Sequence, residues 1–118
     1  MKRIKPPQRL RVLGKVGKCF LVPAGDRKLR DSDDDDEPGR GRYQENSLTF
    51  YVEEEQVLDQ EQDTVLHELW HLIDDLLEID LSEEQVVKLT TAWLAVLKEN
   101  PKLISYLKRR EPDAGSEK

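Results

Sequence analysis

The segment from Asp59 to Glu78 constrains this chain most, because its residues sort cleanly only on a helix. Taking about 100° per residue with His67 at zero, His71 falls at about 40°, Glu78 at about 20°, Asp74 at about −20° and Asp75 at about 80°. Leu66, Leu69, Trp70, Ile73, Leu76 and Leu77 take the rest of the circle. The spacing therefore predicts one long helix with an apolar arc to bury and a polar arc that carries both histidines of the chain.

The partner for that apolar arc must be small. Apolar residues make up 36% of the 118 and charged residues 37%, so any core is confined to a few segments. Upstream, residues 9–22 (RLRVLGKVGKCFLV) roughly alternate apolar and polar, which predicts a strand pair joined near Gly14 to Gly17 and ended by Pro23-Ala24-Gly25. Residues 47–52 (SLTFYV) read as another strand, with Leu48, Phe50 and Val52 on one face. Downstream, Ser82 with Gln85 forms a capping box opening a helix over 83–98, whose apolar positions are Val86, Val87, Leu89, Trp93, Val96 and Leu97. Asn100 as N-cap and Pro101 at the first helical position start a third helix carrying Leu103, Ile104, Tyr106 and Leu107. Strands first and helices after predict an α+β fold: a small N-terminal sheet packed on about three helices, one domain over residues 1–110.

The other segments hold little to bury. Residues 1–7 form a basic, proline-containing arm, 26–42 an acidic flexible loop and 111–118 a disordered tail. Asp31, Asp33 and Asp35 alternate as in a calcium loop. Asp36 and Arg42, however, stand where such a loop needs Gly and Glu, so calcium is disfavoured. The single cysteine, Cys19, excludes an internal disulfide, fits a reducing compartment and reads as a small buried hydrophobe. With no signal-like apolar region and no run of membrane-spanning length, the expectation is a cytoplasmic protein. A net charge of −6 makes nucleic acid an unlikely partner. Nothing in the sequence sets the oligomeric state.

The chemistry lies in His67-Glu68-Leu69-Trp70-His71. Histidines four apart on a helix sit one turn above each other, so both reach one tetrahedral ion at about 2.0–2.1 Å. Glu68 then points beside the metal, where a general base for metal-activated water belongs. A third ligand is needed and no histidine remains. An arrangement with a later Gly and third His is excluded, since those positions hold Asp74 and Leu77. A carboxylate from the next helix is the remaining source. Glu83 lies one turn before Val86 and Val87, on the inward side; Glu84 shares a face with Lys88 and Thr91. Glu83 is the ligand chosen and Glu84 the alternative. Asp74 and Asp75 are candidates to orient the imidazoles through their free N–H groups. The plainer readings are solvated histidines on a helix face, and acids placed at a helix N-terminus for its dipole.

The stretch HELWHLIDD resembles the HExxH helix of gluzincin-type metallopeptidases, which run His-Glu-Leu-x-His with an Asp four residues on, here Asp75. Over 47–97, the strand, the polar approach, TVLHELWHLID and LSEEQVVKL resemble the small phage and mobile-element proteins of the ImmA/IrrE metallopeptidase type. That resemblance, covering under half the chain, implies a minimal zincin-like fold. It also implies Zn2+ on His67, His71 and a Glu of the following helix, a placement Glu83 fits, and hydrolysis of a peptide or protein substrate. The gap from His71 to Glu83 is shorter than in those families, and their Glu-Ala-Asn signature reads Glu83-Glu84-Gln85. No downstream histidine is present to steady an oxyanion; Tyr43, Tyr51 and Tyr106 are the candidates to replace it, and the sequence selects none. The strand at 47–52, if it is a sheet edge, could align an extended peptide. The alternative function is a non-catalytic, zinc-stabilised regulatory or interaction protein of the same phage or mobile-element type, acting in the host cytoplasm.

Overall fold

The computed structural model describes residues 4–30 and 39–110. Arg9–Val12 (β1) and Lys15–Val22 (β2) pair antiparallel, as do Gly41–Gln44 (β3) and Thr49–Glu53 (β4). β2 joins β4 in parallel, so the sheet order is β1-β2-β4-β3. Three helices follow: Leu58–Leu77 (α1), Glu83–Glu99 (α2) and Pro101–Leu107 (α3). This is the predicted α+β arrangement, a small N-terminal sheet and then three helices.

The first hairpin turns on two residues. Leu13 (φ 51°) and Gly14 (φ 82°) are both left-handed, as the twist of a tight hairpin requires. Gly17, predicted as part of the turn, lies inside β2 instead. A Cβ there would stand 2.9 Å from Leu72 Cδ1, so this glycine permits the close approach of α1 to the sheet.

β4 has a neighbour on each side, so it is a core strand, and the condition under which it could align a peptide as an edge is not met. Its inward residues Phe50 and Val52 are fully buried and meet Val12, Cys19 and Leu72 in the core, with Val65, Leu69, Ile73 and Leu76 of α1 packed around them. The edge on the α1 side is β3, which begins inside the stretch read as a loop. That stretch is structured at its start as well: Asp26 Oδ1 accepts from Lys28 N at 2.8 Å and caps a 3-10 turn at Arg27–Leu29, whose Leu29 is buried. The calcium-like aspartates Asp31, Asp33 and Asp35, the first three residues of the basic arm and the 111–118 tail lie outside the described residues.

The link between α1 and α2 is short and held by one side chain. Glu78 (φ 54°) ends α1 in a left-handed cap, its N–H on Asp74 O. The Asp74 carboxylate accepts from Asp80 N (2.7 Å) and Leu81 N (3.1 Å). The predicted capping box then opens α2: Gln85 N donates to Ser82 Oγ at 3.1 Å, and Ser82 N to Gln85 Oε1 at 2.8 Å. α2 buries only Val86 and Thr90. Val87, Trp93 and Val96, grouped with Val86 by sequence, are exposed, because α2 rests on α1 along one narrow stripe. Pro101 starts α3, but the Asn100 side chain donates back to Val96 O instead of capping it. Among the described residues no helix is long and apolar enough to cross a membrane.

Candidate metal centre

The reversal at Asp74–Leu81 brings the first turn of α2 beside the middle of α1. His67 Nε2 lies 2.7 Å from Glu83 Oε2, and His71 Nε2 lies 3.0 Å from Glu83 Oε1. The two imidazole rings meet edge to face with centroids 5.0 Å apart. One ligand atom from each of the three residues falls within 4.8 Å of the other two. Ligands on a tetrahedral ion at about 2.0–2.1 Å would stand about 3.3 Å apart. Small rotations therefore carry this set to coordination distance, and two imidazoles with a carboxylate are the donor chemistry zinc takes. Glu84 faces the other way and pairs with Lys88 at 3.2 Å, one helical turn on.

Glu68 differs from Glu83 in its setting. Glu83 is 66% exposed on its side chain, whereas Glu68 is 6% exposed. Its burial depends on Gly41. A Cβ on Gly41 would fall 2.6 Å from Thr64 Cγ2, 2.9 Å from Glu68 Cγ and 3.0 Å from Glu68 Oε2. Thr64 cannot swing away freely, since its Oγ1 donates to Gln60 O at 2.9 Å. The Glu68 carboxylate is thus cradled against bare backbone at the sheet edge. Sequence reading missed Gly41, which lies in the stretch taken as loop.

Beyond Gly41, β3 presents Tyr43. Its hydroxyl donates to Asp75 Oδ2 at 2.6 Å, and the same oxygen accepts from Asn46 N at 2.8 Å. Burial, then the bond to Asp75, pushes the phenol well above its usual range, so Tyr43 stays protonated through neutral pH. Of the three candidate tyrosines only Tyr43 lines the groove of the histidines. Tyr51 stacks on Phe20 and bonds Gln44 Oε1, and Tyr106 is exposed on α3. The role expected of Asp74 and Asp75 also changes: Asp75 ties α1 to β3 and the turn after it, and Asp74 fixes the α1–α2 turn.

These side chains line an open groove of about 1070 Å³ between β3 and the α1–α2 corner. Among the described residues, seven carboxylates face it against one guanidinium, that of Arg42. The backbone of β3 faces it too. Glu53 N donates to Arg40 O at 2.7 Å, which by antiparallel alternation makes Arg42 the next residue bonded to β4. The amides and carbonyls of Gly41 and Tyr43 therefore point away from β4, along the free edge. Comparison of the chain with protein-family models, with curated proteins and with solved structures gives no match.

Proposed function

We propose that this protein is a zinc-dependent metallopeptidase in which His67, His71 and Glu83 hold the metal and Glu68 is the general base. One observation carries the reading: the three donor atoms lie within 4.8 Å of one another, with a second, buried carboxylate on the residue next to His67 in the same helix. Bound zinc supplies a Lewis acid that acidifies water and polarises a carbonyl. Glu68 takes the proton from the attacking water and delivers it to the leaving amine. Tyr43 lines the same groove with its one O–H held by Asp75, and the Gly41 and Tyr43 backbone groups offer an extended peptide a strand to pair with.

Protein purified without added metal should contain about one zinc per chain, the filling of one tetrahedral site. His67→Ala and Glu83→Ala should each lose it. Glu68→Gln should keep the zinc and lower peptide hydrolysis by roughly 10²–10⁴-fold. Metal-free parent protein would sink the proposal; loss with His67→Ala but not Glu83→Ala would move the third ligand to another acid.

A second reading rests on the narrow seat of α2. With only Val86 and Thr90 buried on that helix, a metal bridging His67 and His71 to Glu83 would staple α2 to α1. In a purely structural site Glu68→Gln changes nothing beyond local stability, whereas chelation unfolds the helical half.

A further inference from the structure

We infer that the groove selects cationic peptide segments, with Lys or Arg on the N-terminal side of the bond to be cut. This rests on the metallopeptidase reading and gives it a substrate class. With Glu83 set aside as metal ligand and Glu68 as general base, five lining carboxylates remain against Arg42 among the described residues. They are not spread evenly. β3 and α1 run in the same direction, since Gly41 lies against Glu68 and Tyr43 reaches Asp75. Past their C-terminal ends stand Glu45 on one wall and Glu78 and Asp80 on the other, all exposed.

A second feature adds to this field. The C-terminus of α1 points the negative end of its dipole at the same corner, and its last turn contains no basic residue. Acids there work against the helix, so Glu78 is not placed for helix stability. The low-dielectric walls of a groove strengthen such a potential and draw in cations.

The direction follows from the strand edge. An extended chain pairs more strongly antiparallel than parallel to β3. It would then enter with its N-terminal part beside Glu45, Glu78 and Asp80, and pass Gly41 and Glu68 later. Basic side chains preceding the scissile bond would face the acidic corner.

Binding tests this independently of turnover. The zinc-loaded full chain carrying Glu68→Gln is titrated, by fluorescence anisotropy, with two labelled decapeptides. One carries four Lys or Arg in its N-terminal half, and the other carries Glu at those positions. The basic peptide should bind at least roughly tenfold tighter, with affinity falling as salt rises. Glu45→Lys with Glu78→Lys should abolish the preference, and the milder Glu45→Gln with Glu78→Gln should reduce it about threefold. Equal affinity for the two peptides overturns the inference and leaves the metallopeptidase reading untouched. Basic preference that survives both double variants also overturns it, because the charge would then act elsewhere. Preference without cleavage by the parent chain keeps the groove's selectivity and removes the peptidase reading. In cleaved peptides, basic residues mapped after the cut overturn the direction.

Discussion

Gly17 and Gly41 do the same mechanical job at two places under one helix, yet the helix offers them opposite chemistry. At Gly17 the neighbour is Leu72, fully buried and apolar; at Gly41 the neighbours are Glu68 and Thr64, polar and one turn apart. Each glycine lets α1 come closer to the sheet than any side chain would allow. Over β2 that closeness is spent on dispersion and water exclusion around Phe50 and Val52. Over β3, at the sheet edge, it walls in a carboxylate. One amphipathic helix thus makes a core along one flank and walls in a polar cluster along the other, and the difference is set by where the sheet ends.

The sharpest way to break this comparison is to fill both gaps. Gly41→Ala forces Glu68 aside, and a displacement of about 1 Å at a catalytic group costs on the order of 100-fold in rate. We expect kcat/KM against a basic peptide to fall by at least that factor, while zinc content stays at one per chain. Next in size is Asp74→Ala, which strips the acceptors from Asp80 N and Leu81 N. Thermal and urea unfolding should show a loss of about 1–3 kcal/mol. Zinc affinity should weaken roughly tenfold, because Glu83 is delivered by that turn. Asp74→Asn, which keeps an acceptor oxygen, should recover part of both. Gly17→Ala comes third. Overpacking against Leu72 should cost about 1–3 kcal/mol, with turnover per folded molecule unchanged. If Gly17→Ala impairs catalysis as much as Gly41→Ala does, the two flanks of α1 are not separable.

The same contrast explains what the sequence disclosed. The span of α1, the capping box at Ser82 and the inward faces of β4 were legible because each depends on local spacing or local chemistry. Glu83 could be set ahead of Glu84 because Val86 and Lys88 mark the two sides of α2. β3 was not legible. Its residues Gly41, Arg42, Tyr43 and Gln44 hold no apolar alternation and follow a run of acids. They become a strand only because β4 offers an open side to pair with. Gly17 was misread for a related reason. Glycine marks turns and close approaches alike, and only the helix above distinguishes them. Asp75 has the spacing of an imidazole partner, but Tyr43 and Asn46 reach it, and neither is near it in sequence.

Alkaline titration probes the two flanks without altering their packing, because each carries one acid that folding keeps protonated. On the core side, burial chiefly, with a smaller contribution from the charge of Glu61, raises the Cys19 thiol from 9.0 to about 11. On the site side, Tyr43 is raised by burial and by Asp75. The unfolded thiol loses its proton above pH 9.0, while the native one holds it until about 11. Between those values the native state binds more protons, so stability must fall as pH rises. Cys19 therefore contributes in full below pH 9.0, and its contribution is lost toward pH 11, up to about 2–3 kcal/mol. Urea unfolding of the parent and Cys19→Ala at pH 8 and pH 10.5 isolates this difference, since all other titrations cancel between the two proteins. The parent should lose more stability than the variant across that interval. Tyr43→Phe should flatten the decline that sets in above the usual tyrosine range, near pH 10. A pH response unchanged by Cys19→Ala would mean that the core flank admits water, and the division of α1 into a dry side and a wet side would have to be withdrawn.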